Sequence, residues 1–166
     1  MERSLSLATD VDVVRREALL VIQDAEAMAP LAKRPRKSYE MGEREVTLGS
    51  LREAEVLFRQ AKRRAQEIVA WWEKAEESIR VAEKLLTGQS GATIEGLRQI
   101  IRDAKKQLER EAPKKAFELA CVVPIQLQAD GDARERAIEV LKDAAKALKS
   151  SAVSYTHLRA HETKAN

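Results

Sequence analysis

Cys121 and the two histidines, His157 and His161, are the side chains of this 166-residue chain best suited to nucleophilic or acid–base work, and their placement argues against it. Both histidines fall in the last ten residues, so the body of the chain has neither the usual general base nor the usual metal ligand. Cys121 lies among Leu119, Ala120, Val122 and Val123. A thiol buried in such an apolar setting is inert, so its expected role is structural. A lone cysteine also cannot form an internal disulfide. Gly88-Gln89-Ser90-Gly91 lacks the lysine and the preceding strand of a phosphate-binding loop and reads as a turn. A carboxylate metal site in a helical bundle wants Glu-x-x-His, which the sequence does not contain. The expectation is a protein that is not an enzyme and uses no cofactor or metal.

Two basic clusters suit a polyanion better. Lys33, Arg34, Arg36 and Lys37 surround Pro35, and Arg59, Lys62, Arg63 and Arg64 form a patch within a helical pattern. Such groups can track a phosphate backbone, with binding that falls as salt rises. Glu40, Glu43 and Glu45 follow the first cluster, and Glu53, Glu55 and Glu67 flank the second, which favours a solvated face of mixed charge. Arg34, Arg36 and Lys37 also resemble a short nuclear-localisation cluster, a match that is common by chance. Trp71 and Trp72 are adjacent, hence about 100° apart on a helix. With Leu57 and Leu85 they are candidate anchors for a partner helix, the competing role being the protein's own core.

Composition says which elements must position these residues. Ala, Glu, Leu, Arg and Lys supply 93 of the 166 residues, beyond the roughly one-half that points to long helices, and six glycines and four prolines leave little for strands and turns. Val11, Val14, Ala18, Val21, Ala25 and Met28 predict a helix over about 10–29, capped by Thr9 or Asp10 and ended by Pro30. The next stretch, 30–49, contains Pro35 and Gly42 without a sustained period and reads as a connection with a short extended piece at 45–48.

Ser50 and Glu53 form a capping box before the clearest pattern in the chain. Leu51, Ala54, Phe58, Ala61, Ala65, Ile68, Trp72, Ala75, Ile79, Ala82 and Leu86 keep a three-four spacing that predicts a helix over 51–87, ended at Gly88. One line of this stripe is mostly large and the other almost all Ala, which predicts tightly packed, antiparallel partners. Leu57, Trp71 and Leu85 widen the face beyond a two-helix seam. Glu55 with Arg59 and Glu76 with Arg80 are its expected surface pairs. Ile94, Leu97, Ile101, Ala104 and Leu108 predict a helix over about 94–112 that folds back on the long one. Pro113 can start a short helix over 113–123, and Pro124 should break it; 119–129 reads equally as helix or strand. Asp132 and Glu135 would cap a last helix over 133–151, with Ile138, Leu141, Ala145 and Leu148 on its face.

Residues 153–166, VSYTHLRAHETKAN, continue none of these patterns. Over the eleven residues Val153–Thr163 they resemble a translated sequencing adapter of the transposase type, and Ala152 fits the junction codon. The resemblance implies a foreign tail on a cut frame, to be left out of fold reasoning. Without it the chain holds 28 basic and 26 acidic residues, a net of +2 and a weak pull toward polyanions. No signal-peptide pattern opens the chain and no apolar run is long enough to cross a membrane, so the expected location is cytoplasmic.

Together these features predict an all-α, elongated antiparallel helical bundle of coiled-coil character over 1–152, built on one long central helix. The expected role is a non-enzymatic structural or protein-interaction module, acting through apolar helix faces by self-association or by binding a partner. Two alternatives differ in class: a weak nucleic-acid-binding accessory protein of phage or mobile-element type, and the helical arm of a longer enzyme.

Overall fold

A computed structural model describes the backbone of residues 2–165 and the side chains of residues 5–150. It is all-α: α1 (Glu2–Met28), α2 (Arg34–Thr47), α3 (Leu51–Leu86), α4 (Ala92–Glu109) and α5 (Pro113–Ala165), with no strand among the described residues. The chain divides into two units, residues 1–123 and 124–166. The side chains of the adapter-like stretch, 153–166, lie outside the described residues.

In the first unit α3 is the element on which the others pack. Every position of its predicted stripe from Ala54 to Leu86 is buried, and only Leu51 at the start remains half-exposed. The alanine line lets neighbouring backbones approach closely, while Phe58, Ile68 and Trp72 fill the space beside it. α1 adds Val11, Val14, Ala18, Ile22 and Ala25 to the same core, and Ala29 just past its end joins them. Its stripe therefore departs from the predicted one after Ala18: Ile22 and Ala29 are buried, and Val21 and Met28 are only partly so. The shift puts an alanine rather than the longer methionine at the last turn's contact. α1 also begins at Glu2, so Thr9 and Asp10 do not cap it; the Thr9 hydroxyl donates back to the Leu5 carbonyl at 2.9 Å.

Helix α2 corrects the reading of 30–49 as a connection with an extended piece. Pro35 sits in its first turn, where a missing N–H costs nothing and a fixed φ helps. Gly42 does not break it. A Cβ at this position would lie 2.8 Å from Cε1 of Phe58, so the glycine is what lets α2 settle on that ring. Tyr39 packs against Phe58 with ring centroids 5.3 Å apart, and the buried Ser38 hydroxyl accepts from Arg64 Nη1 at 2.9 Å. The buried face is thus Pro35, Ser38, Tyr39 and Gly42, a full helical spacing carried by residue types that do not register as apolar.

Cross-links give the direction of each helix. Arg15 reaches Glu43 at 2.9 Å and Arg36 reaches Glu26 at 2.7 Å, so α1 and α2 are antiparallel. Ser38 with Arg64 and Gly42 beside Phe58 make α2 and α3 antiparallel too. α1 and α3 consequently run in the same sense, an up-down-up arrangement. Ser50 begins α3 without the side-chain bond of a capping box. At its other end Gly88 takes φ +77°, the left-handed conformation expected of a helix-ending glycine. The short turn 87–91 then returns α4 antiparallel along the second half of α3, with Lys105 paired to Glu83.

α5 starts at Pro113, and Ala116, Ala120 and Val123 are buried in the first unit. Pro124 does not break it, residues 119–129 are helical, and the expected helices over 113–123 and 133–151 are parts of one element. Asp132 and Glu135 lie inside that helix rather than at a cap. An interior proline costs about 3 kcal/mol through one lost hydrogen bond and a clash, and the helix nevertheless continues past it. Cys121 is half-exposed rather than buried. Among the described residues no helix is long and apolar enough to cross a membrane.

Candidate docking cleft

The eight basic residues singled out in the sequence do not form one open cationic surface. Lys62 pairs with Glu17 at 2.5 Å, Arg36 with Glu26 at 2.7 Å and Arg59 with Glu55 at 2.7 Å. The Arg34 backbone N–H donates to the Glu111 carboxylate at 2.9 Å, and its guanidinium lies 3.8 Å from the same group. Arg64 is spent on Ser38, and Lys33 donates to the Pro30 carbonyl at 3.1 Å. Lys33, Lys37, Arg63 and Arg64 have no carboxylate partner among the described residues. Hydrogen bonds raise the pKa of two arginines between α1 and α2: Arg15 chiefly through Tyr39 and then Glu43, and Arg36 through Glu26. Both act as struts within the bundle.

The four candidate anchors also separate. Leu57 lies beside Val56, Arg52, Glu53 and Glu45 at the start of α3. Trp71 is half-buried, covered by Phe117 of α5 at 5.3 Å between ring centroids, with the Lys74 and Lys114 ammonium groups 5.0 and 5.7 Å from its ring centroid. Leu85 stands at the exposed edge near the end of α3. Trp72 is buried in the core, yet one part of it lines a cleft of about 510 Å³.

Three segments line that cleft. The connection between α1 and α2 contributes Leu31 and Ala32, α3 contributes Trp72, Glu76, Ile79, Arg80 and Glu83, and the end of α4 with its following turn contributes Lys105, Leu108, Glu109 and Glu111. The floor is apolar, made by Trp72, Ile79 and Leu108. The indole N–H of Trp72 donates to Glu76 at 3.0 Å, which satisfies its only polar atom. Leu31 stands at the mouth with 86% of its surface exposed.

Charges ring the opening. Lys105 is paired to Glu83, Arg80 is held by Glu77 at 2.6 and 2.9 Å, and Glu111 is engaged by Arg34. Arg80 in turn holds the exposed Glu77 carboxyl below its usual pKa. Glu76 and Glu109 have no basic partner among the described residues. The expected Glu76–Arg80 pair is therefore replaced by Glu77–Arg80, which leaves Glu76 to the indole.

An apolar floor of this size with a few polar groups at its edge is a binding geometry. Nothing in it couples a nucleophile to a base, and no three His, Cys, Asp or Glu side chains among the described residues are grouped as metal ligands would be. Trp72 was marked by its size in the sequence. Leu31 and Leu108 were not marked as site residues: Leu31 belongs to no period, and Leu108 reads as ordinary core on its helix. No protein-family model matches the chain, and neither the curated proteins nor the solved structures provide a match.

Proposed function

We propose that the protein is a non-enzymatic protein-interaction module and that the Trp72 cleft is where a partner segment docks. The observation that carries this reading is the cleft lined by Trp72, Ile79 and Leu108, with the almost fully exposed Leu31 beside it. Fully covering an exposed leucine is worth roughly 1.5–3 kcal/mol, and a partner that covers the mouth gains it without unfolding anything. Selection of helical peptides from a random library should return ligands that lose at least tenfold in affinity on Leu31→Asp or Leu108→Lys. If every recovered ligand binds both variants as well as the unaltered protein, the cleft is not the docking site.

A polyanion is the weaker reading, because four of the eight basic residues already face carboxylates. It requires an oligonucleotide shift at low salt that disappears when Arg34, Arg36, Arg63 and Arg64 are changed to Ala. A cytoplasmic location is part of the proposal, in keeping with a single cysteine that has no disulfide partner in the chain, and fractionation of the source cells tests it. The adapter likeness of Val153–Thr163 is tested by re-reading the parent DNA across codon 152.

A further inference from the structure

We infer that the segment taken by the Trp72 cleft is a basic amphipathic one, with apolar side chains bracketed by lysine or arginine. The inference rests on the docking reading and adds the chemistry of the partner. Four carboxylates and two cations surround the opening, and both cations are already committed, Lys105 to Glu83 and Arg80 to Glu77. Glu111 is likewise committed, to Arg34. What the lining leaves for a partner is Glu76 from α3 and Glu109 from α4, in the same cleft as Ile79 and Leu108. Glu76 spends one hydrogen bond on the Trp72 indole and, as an ionised carboxylate, keeps further acceptor sites.

A segment lying along this floor places its apolar side chains on Trp72, Ile79 and Leu108 and brings its flanking positions to the two carboxylates. Lysine or arginine at those positions answers the charge and covers apolar surface with its methylene stem. Aspartate or glutamate there meets like charge, which costs affinity and discriminates between partners.

The test uses two fluorescein-labelled synthetic helical peptides with leucine at the same three-four positions, one with lysine and the other with glutamate at the remaining sites, titrated by anisotropy against the full chain. At low ionic strength the lysine peptide should bind about fivefold or more tighter than the glutamate peptide. That is the size expected of two solvent-exposed charge contacts. The Glu76→Gln/Glu109→Gln double variant should reduce the preference to near parity, as should about 0.5 M salt. Leu31→Asp, at a position too exposed to threaten folding, and Leu108→Lys should weaken the lysine peptide at least tenfold in protein with an unchanged circular dichroism spectrum.

If the glutamate peptide binds equally well and both peptides are lost in the Leu31 and Leu108 variants, docking stands and the charge inference is wrong. If the double glutamine variant keeps the full lysine preference, the inference is also wrong, because other carboxylates supply it. Lysine-peptide binding that ignores Leu31→Asp and Leu108→Lys would overturn it as mere attraction to an acidic surface. Failure of both peptides to bind would sink the docking reading with it.

Discussion

Ile79 on α3 is 6% exposed, and Ile138 on α5, a member of a stripe with the same three-four spacing, is 52% exposed. Their neighbours repeat the contrast: Phe58, Ile68 and Leu86 are inside, whereas Leu141 and Leu148 are 68% and 71% exposed. Periodicity names the face of a helix that is able to pack. Whether that face is covered depends on other elements, and α3 has α1, α2 and α4 against it while the second unit consists of one helical segment. Most helical stability in proteins comes from such packing, so equal patterns have unequal worth in the two units.

Removing the largest fully buried side chain should separate them most. Phe58→Ala is expected to lower unfolding free energy by about 3–5 kcal/mol in urea titrations, while Leu141→Ala with Leu148→Ala leaves the same transition in place. A loss under about 1 kcal/mol for Phe58 would mean that the buried stripe is not what holds the first unit together. The matched isoleucines sharpen the point: Ile79→Ala should cost about 2–5 kcal/mol, and Ile138→Ala should fall within about 0.5 kcal/mol of no effect. A comparable cost at both positions would break the comparison outright, because it would require Ile138 to be covered.

Gly42→Ala comes next. Alanine gains up to about 1 kcal/mol over glycine in a helix, but its methyl carbon would stand 2.8 Å from a ring that is fully buried and hemmed in. Overpacking of that kind costs about 1–3 kcal/mol, so thermal denaturation should show net destabilisation, reversed to a gain when Phe58 is replaced by leucine in the same chain. Absence of the reversal would locate the strain somewhere other than the Phe58 ring.

The smallest effect belongs to Glu77. Its carboxyl is depressed by hydrogen bonds from Arg80. A depressed folded-state pKa contributes stability above the unfolded carboxyl's pKa and loses it as pH falls through the folded value. The pair is exposed, so solvent screens it, and Glu77→Gln should leave Tm unchanged within error at pH 7 and below pH 4 alike. A pH-dependent difference would mean that surface ion pairs weigh more here than their exposure allows.

Much of the first unit was legible because α3 marks its contacts with aliphatic and aromatic residues. α2 was not, since Pro35, Ser38, Tyr39 and Gly42 make its buried face and two of them are the usual breakers of helices. The register of α1 slipped after Ala18 because Val21 and Ile22 are equally apolar, and only the packed bundle, which buries Ile22 and Ala29, decides between them. The pairing of the basic clusters was hidden by sequence distance: Arg34 meets Glu111 and Lys62 meets Glu17, each far outside a helical turn. In the cleft only Trp72 was recognisable in advance, because Leu31 and Leu108 matter through a gap between helices rather than through their own positions in a pattern.

Sequence alone determined that the chain is helical, where α3 starts and stops, and which of its faces packs. Those are local consequences of backbone propensity, spacing and terminating glycine, repeated over enough residues to leave no competitor. Tertiary structure decided that α2 is a helix, which cations are already answered, and where apolar surface stays open. Each of these depends on what stands across from a residue, and a neighbour's distance is a property of the packed bundle that no residue type carries by itself.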